Sequence, residues 1–388
     1  MKEEPQDSAR ELPFATGDQI QLTIDDLAFG GEGVGHHEGV AVFVPFVMAG
    51  ERVEVEITET KKSFARARLV RIVEASSERI APTCPHFTAC GGCQYQHLPY
   101  PLQLETKRKQ LVDIFERIGG FNTPPINPVC ASPANYDYRN RILVRTQYSK
   151  ITKRMSVGFL RHDNRLVVDV EHCHIAEPAL NEQLQTVRID PPTKNGIKFN
   201  LRVMPEDWEL PPDSFFQVNY HLLPEMVATV RRYLESAGAK YLYDIYCGAG
   251  FFCLSAADLV DEYIGVEIDK KAIQAAKKNA TDRGHTNGEF IASPAEDAIP
   301  RLISRFEGDQ STVILDPPRR GCAPSLLDTL KQHRPLQVIY ISCHPATLCR
   351  DLKELCTEGG YSLESVTPLD MFPQTKHVEC ICDLRRKE

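Results

Sequence analysis

Two kinds of hydrophobic pattern divide the chain. From Gly17 to Val70, apolar and polar residues alternate over short segments, as in residues 19–24, 40–44 and 65–70, with glycine-rich turns between some of them. Alternation with a period of two is typical of half-buried strands. Four or five such strands predict a small closed barrel like the OB-fold, which often binds oligonucleotides. We expect a disordered tail over residues 1–13 and a barrel domain over residues 14–75.

A different pattern follows the barrel. Residues 101–118 have helical spacing, with Leu111 and Phe115 on an apolar face and Lys107 among the basic residues of the other face. The chain from Tyr138 to about Val218 is strand-like and interrupted by prolines. These elements predict a central β-rich domain over residues 76–218.

From about residue 240, strand patterns alternate with helix patterns. Such alternation is typical of an α/β fold with a doubly wound parallel sheet, which we assign to residues 219–388. The last segment, residues 378–384, alternates as a strand and could add an antiparallel edge.

Composition narrows the class of protein. The chain has 388 residues, of which 25% are charged and 42% hydrophobic, as in an ordinary globular protein of two or three domains. No apolar run approaches the length of a membrane span. The first seven residues lack the basic and apolar regions of a signal peptide, so we expect a cytoplasmic protein. Thirteen cysteines, an odd number, favour metal or catalytic roles over a disulfide framework.

Positive charge is concentrated in two segments although the net charge is −8. Residues 139–165 contain eight Arg or Lys and one acidic residue, and a second basic cluster spans residues 61–71. Either cluster alone would be interpreted as a solvated face. Together, with Phe64 and Tyr148 interleaved, they favour an RNA-facing surface.

A cysteine constellation predicts a metal site. Cys84, Cys90 and Cys93 are separated by five and two residues, and Gly91-Gly92 would let the backbone approach inorganic sulfur or a metal. Cys173 is the best candidate for a fourth ligand. Zinc held by four cysteines, or by three cysteines and a histidine, is the alternative that spacing leaves open. Other possible ligands are His86 and His174.

A β-favouring run, residues 338–342, ends at Cys343, and Pro345 suits the first position of a following helix. Open α/β sheets bind ligands at the carboxyl ends of their strands. The helix N-terminus would favour a thiolate, the nucleophilic form of cysteine. A small buried thiol is the alternative.

Three further segments end strands of the same predicted sheet. The Cys247-Gly248-Ala249-Gly250 turn departs from the dinucleotide pattern Gly-x-Gly-x-x-Gly, which argues against NAD. Glu267 ends the next strand, where a ribose diol would be held, and Asp316-Pro317-Pro318 closes a later one. Together they resemble the S-adenosylmethionine-binding fold of class I methyltransferases.

Nearly the whole chain resembles the RNA (uracil-5-)-methyltransferase family, the bacterial 23S rRNA and tRNA 5-methyluridine enzymes, and its first part resembles their TRAM domain. The motifs that carry the resemblance are the cysteine constellation, Ser214 to Asn219, Asp244 to Gly250, Asp316 to Arg319, Ser342 to Thr347, and His377 to Glu379. The resemblance implies a [4Fe-4S] cluster on Cys84, Cys90, Cys93 and Cys173. It implies S-adenosylmethionine contacts at Gln217, Tyr246, Glu267 and Asp316. It also implies that Cys343 is the nucleophile and Glu379 the base.

The resemblance implies a cysteine adduct at uracil carbon 6, methyl transfer to carbon 5 and proton removal by Glu379. We expect RNA as the partner, rRNA rather than tRNA, with no membrane or obligate protein partner, and we expect a monomer. Cytosine C5 methylation is disfavoured because no cysteine follows a proline. The remaining alternative is a non-catalytic RNA-binding iron–sulfur protein.

Overall fold

The computed structural model describes residues 12–150 and 153–387. Residues 1–11 of the predicted disordered tail therefore lie outside the described residues. No helix in the described part of the chain is long and apolar enough to cross a membrane.

The alternating segments near the N-terminus form a closed five-stranded barrel with strand order β1-β2-β3-β5-β4. All pairs are antiparallel except β3 with β5. Position 35 requires glycine because the backbone of β1 passes close to it. A Cβ at Gly35 would lie 2.2 Å from the carbonyl oxygen of Thr23. The OB-like barrel prediction is confirmed. The strands are β1 (Gln19–Leu27), β2 (Glu32–His37), β3 (Val40–Pro45), β4 (Arg52–Thr60) and β5 (Phe64–Glu74).

The predicted helix of residues 101–118 is present as α1 (Tyr100–Ile114), followed by a single π-helical turn over Phe115–Gly119. One prediction about its faces is wrong, because Lys107 points into the protein and is 1% exposed. Its ammonium group donates to Asp370 Oδ1 at 2.6 Å and to the carbonyl oxygen of Phe372 at 3.2 Å. This buried ion pair ties α1 to the C-terminal part of the chain.

The central segment forms a four-stranded antiparallel sheet with the order β8-β7-β6-β9. It also contains a helix, α2 (Pro178–Ile189), which the strand-like pattern did not predict. Leu180 and Leu184 of α2 pack on Ile142 and Val144 of the sheet. The strands are β6 (Arg141–Ser149), β7 (Arg154–Leu160), β8 (Val167–Asp169) and β9 (Lys198–Arg202).

The C-terminal part contains a seven-stranded sheet with the order β12-β11-β10-β13-β14-β16-β15. The first five strands in this order are parallel, as predicted. The final strand is antiparallel, as predicted, but it pairs with β14 on one side and β15 on the other, so the edge belongs to β15. The strands are β10 (Tyr241–Ile245), β11 (Glu262–Glu267), β12 (Gly288–Ala292), β13 (Ser311–Leu315), β14 (Gln337–Ser342), β15 (Tyr361–Leu369) and β16 (Glu379–Arg386).

Helices cover both faces of this sheet, which is why its inner strands are apolar throughout rather than alternating. Val313 and Leu315 pack on one face with Leu348, whereas Ile314 packs on the other face with Met226. The fold is thus a doubly wound α/β sheet behind a barrel and a small β-sheet. The helices are α3 (Leu223–Ala237), α4 (Phe251–Ser255), α5 (Lys270–Asp282), α6 (Ala295–Leu302), α7 (Pro324–His333) and α8 (Pro345–Thr357).

Candidate functional site

The carboxyl ends of four parallel strands, β10, β11, β13 and β14, meet at one cavity of about 650 Å³. Ligands of open α/β sheets bind at this edge. All six residues that the sequence assigned to nucleophile, base and cofactor contacts line this cavity. They are Gln217, Tyr246, Glu267, Asp316, Cys343 and Glu379.

The glycine turn after β10 closes one end of the cavity. Gly250 has a φ of 85°, and a Cβ there would lie 3.0 Å from the ring of Phe290, so no larger residue fits without strain. The Gly248 N–H donates to Glu267 Oε2 at 3.2 Å, and the Asp269 N–H donates to Glu267 Oε1 at 2.9 Å. Two backbone donors therefore fix the Glu267 carboxylate at the end of β11, where it can accept hydrogen bonds from a diol.

Three carboxyl groups cluster beside this turn without a cationic partner among the described residues. Burial raises the pKa of Asp244 to about 6, and Asp244 Oδ1 has no hydrogen-bond partner. Burial, together with the charges of Asp244 and Glu267, raises the pKa of Asp316 to about 8. A positively charged ligand would relieve this repulsion. The acidic cluster, the ordered Glu267 carboxylate and the glycine turn therefore suit a cationic nucleoside such as S-adenosylmethionine.

Cys343 and Glu379 lie next to each other across two strands. Ser342 of β14 is paired with Cys380 of β16 in an antiparallel register, which places Cys343 opposite Glu379 at the end of the ladder. Helix α8 begins directly after Cys343, with the His344 side chain accepting from the Thr347 N–H. Both Cys343 and Glu379 line the cavity that Glu267 and Asp316 also line.

The electrostatics at Cys343 differ from the expectation. Burial, with the negative charges of Glu379 and Asp316, raises the pKa of the Cys343 thiol to about 11. We expected a lowered pKa from the helix N-terminus, whereas burial and these carboxylates raise it. Burial also raises the pKa of Glu379 well above its ordinary value. Without ligands, burial therefore favours the neutral form of both groups.

Arg319 is a residue of this site to which sequence reasoning assigned no role. The positive charge of its guanidinium lowers the pKa of the Cys343 thiol, opposing burial. Its backbone carbonyl accepts from Thr347 Oγ1 at 3.0 Å, so α8 holds its loop in place. The sequence did offer a reason to consider Arg319, because it directly follows the Asp316-Pro317-Pro318 segment. Phe215, from the motif Ser214 to Asn219, and Phe372, which lies in no motif, also line the cavity.

The four predicted cluster cysteines line a second cavity, of about 200 Å³, between the segment after the barrel and the central sheet. Cys84, Cys90 and Cys93 come from one loop, and Cys173 comes from the segment before α2. All four are free thiols. Asn181 fixes the backbone of Cys173 by accepting from its N–H at 2.8 Å and donating to its carbonyl oxygen at 3.2 Å.

Four cysteine thiols face this cavity, and thiolates are the usual ligands of zinc and of iron–sulfur centres. In the described ranges, no group of three or more His, Cys, Asp or Glu side chains is close enough for a single metal ion. Burial and mutual repulsion raise the pKa of Cys93, and burial raises the pKa of Cys173 to about 11, so a cationic centre would be needed to hold them as thiolates. The cavity is also lined by His86, His172 and His174, whose imidazole nitrogens are a second type of metal donor.

Two family models match parts of this chain. The family model described as tRNA (uracil-5-)-methyltransferase matches residues 194–387, and the TRAM domain model matches residues 13–70. The chain belongs to the tRNA (uracil-5-)-methyltransferase family. It is an RNA methyltransferase, and its barrel is a TRAM domain.

Relatives in this family match over nearly their full length. An uncharacterized RNA methyltransferase of Synechocystis sp. is 31% identical, covering 95% of this chain and 96% of the relative. One of Clostridium acetobutylicum is 30% identical, covering 97% and 98%. The crystal structure of the Pyrococcus abyssi tRNA (uracil-54, C5)-methyltransferase, in complex with S-adenosyl-L-homocysteine, superposes with a TM-score of 0.70 at 25% identity, covering 94% of this chain and 100% of that one.

Proposed function

We propose that the protein methylates carbon 5 of a uridine in RNA, with S-adenosylmethionine as the methyl donor. The observation that carries the proposal is the cavity at the carboxyl edge of the sheet, which is lined by Cys343, Glu379, Glu267 and Asp316. The S-adenosyl-L-homocysteine complex of the Pyrococcus abyssi enzyme supports the choice of donor. Gln217, Tyr246, Glu267 and Asp316 would contact it.

Bound S-adenosylmethionine supplies an electrophilic methyl group and a positive charge. The Cys343 thiolate adds to carbon 6 of the uracil, and the electrons of the 5,6 double bond move onto the carbon 4 oxygen as an enolate. Carbon 5 would then take the methyl group as the bond between that group and the donor sulfur breaks, which leaves S-adenosylhomocysteine. Arg319 stabilises the thiolate form of Cys343 against the surrounding carboxylates.

Glu379 completes the reaction by removing the proton from carbon 5. The electrons of that carbon–hydrogen bond re-form the 5,6 double bond, and the bond from carbon 6 to the Cys343 sulfur breaks. A raised pKa makes the Glu379 carboxylate a stronger base, which suits the removal of a proton from carbon. The uridine has to leave any stack to enter this cavity.

We also propose that Cys84, Cys90, Cys93 and Cys173 bind a [4Fe-4S] cluster. The cavity that the four cysteines share supports this proposal, and the metal content of the purified protein distinguishes the cluster from zinc. The cluster would supply a covalent link between the loop after the barrel and the central sheet. The domain limits that fit this arrangement are 14–75, 76–218 and 219–388.

For the substrate we propose 23S rRNA, on the analogy of family members that carry a TRAM domain. A tRNA is the second candidate, because the Pyrococcus abyssi neighbour is a tRNA enzyme. Mass-spectrometric mapping of 5-methyluridine in rRNA and tRNA from a deletion strain decides between them. A site lost in 23S rRNA supports the first proposal, and a site lost in tRNA supports the second. Loss of no site in either RNA contradicts the function.

A further inference from the structure

The outer face of the central sheet carries an ordered row of cations. Along β6, Ile142 and Val144 point into the core, whereas Arg141 and Arg145 lie on the opposite face. Successive residues of a strand alternate between faces, so a cation at every fourth position gives one charged side. The face of the sheet that is away from α2 is therefore positively charged.

Like charges oppose each other across this face. Arg145 of β6 is the register partner of Lys198 of β9. Arg165, from the loop between β7 and β8, joins them around a cavity of about 500 Å³ whose lining contains no acidic residue. No ion pair joins any of these three cations to a residue in the described ranges. Like charges directly opposite one another destabilise a sheet, so this arrangement favours an anion between them.

The basic cluster of the barrel is different, because it is neutralised within the barrel. Each arginine that projects from β5 meets a glutamate of another strand of the barrel. These exposed pairs leave little net positive charge on the barrel. The pairs are Arg66 with Glu32, Arg68 with Glu56 at 2.6 Å, and Arg71 with Glu54 at 2.6 Å.

The cation cavity connects with the candidate active site. Arg145 also lines a groove of about 810 Å³ that includes Arg139, Arg319 and Phe372. The last three residues line the active-site cavity as well. The strand rise of roughly 3.3 Å per residue places Arg145 about 20 Å along the chain from Arg139, a distance of a few nucleotides.

We propose that Arg145, Arg165 and Lys198 form a subsite for phosphate groups of the RNA strand next to the target uridine. This inference rests on the proposed function. The strand runs from the cavity at Cys343 along the groove past Arg139 and over the central sheet. Arg68 and Arg71 of the barrel, which are paired with glutamates and do not line this groove, do not contribute a comparable phosphate contact.

The test measures binding of the full-length protein to an oligouridylate of about 12 nucleotides as a function of salt concentration. Each phosphate contact contributes about 0.7 to the slope of log K against log salt for a single strand. The double substitution Arg145→Ala/Lys198→Ala is therefore expected to reduce the slope by about 1.4. The matched control, Arg68→Ala/Arg71→Ala, is expected to leave it unchanged, and thermal unfolding checks that both variants are folded.

Three results would overturn the inference: an unchanged slope in the first variant, an equal loss in the control, or equally tight, equally salt-dependent binding of polyglutamate. The last would indicate an acidic protein as the partner. Methylation of cellular RNA by the wild-type protein is measured in parallel. Methylation with an unchanged slope refutes this subsite alone, whereas absence of methylation with any RNA refutes the proposed function.

Discussion

Replacing Lys107 with methionine tests whether the buried ion pair holds α1 against the part of the chain that lines the active site. Lys107 and Asp370 are both fully buried, and their charged atoms are 2.6 Å apart. Asp370 Oδ2 has no hydrogen-bond partner among the described residues. Methionine keeps the length of the side chain and removes the charge, so the Asp370 carboxylate would be left buried without its cation.

Removal of one partner of a buried ion pair costs about 3–5 kcal/mol, because the other charge stays desolvated. Lys109→Met is the control on the same helix, since Lys109 and Asp26 form an exposed pair at 2.6 Å. An exposed pair contributes no more than about 1 kcal/mol. Urea unfolding followed by circular dichroism is expected to show a much lower midpoint for Lys107→Met than for Lys109→Met.

A double-mutant cycle isolates the pair itself. Combining Lys107→Met with Asp370→Leu removes both charges, so the double variant is expected to be more stable than the sum of the single losses predicts. Equal urea midpoints for Lys107→Met and Lys109→Met, or strict additivity in the cycle, would refute the reasoning.

Three further predictions concern the two sites. Arg319→Met is expected to slow alkylation of Cys343 by iodoacetamide at a fixed pH near 8, because Arg319 lowers the pKa of the thiol; an unchanged rate argues against the contact. S-adenosylmethionine should bind more weakly as pH falls below about 8, by up to about tenfold per pH unit, because Asp316 becomes protonated. S-adenosyl-L-homocysteine lacks the sulfonium charge, so its affinity, measured by calorimetry, should change little over the same pH range. Asp316→Asn should abolish this difference between the two ligands. Cys173→Ser is expected to lower the iron content of anaerobically purified protein, while Cys130→Ser leaves it unchanged; zinc in place of iron would contradict the cluster.

The alternation of apolar and polar residues predicted the barrel, and the alternation of strand and helix patterns predicted the parallel sheet. Both predictions succeeded because the burial of one or both faces of an element sets the spacing of its apolar residues. Lys107 shows where that reasoning fails. A lysine in an amphipathic helix is expected in solvent, and its burial depends on Asp370, a residue 263 positions away. Helix α2 was missed because it lies within a segment of strand-like composition between prolines.

The order of the strands in the sheet could not be predicted from the sequence either. The pattern of residues 378–384 indicated an antiparallel strand, but the insertion of β16 between β14 and β15 is a matter of long-range pairing. That pairing brings Glu379 opposite Cys343. The same long-range environment raises the pKa of Cys343, which the local helix N-terminus alone would have lowered.

The most direct test of the central claim uses RNA in which uridine is replaced by 5-fluorouridine. After methyl transfer, carbon 5 carries fluorine in place of the hydrogen that Glu379 would remove as a proton. The 5,6 double bond therefore cannot re-form, and the bond between carbon 6 and the Cys343 sulfur persists. The wild-type protein with S-adenosylmethionine is expected to form a protein–RNA complex that survives denaturation, with methylated fluorouracil on the peptide that contains Cys343. Absence of such a complex, or an adduct mapped to any other cysteine, would contradict the assignment of Cys343 as the nucleophile.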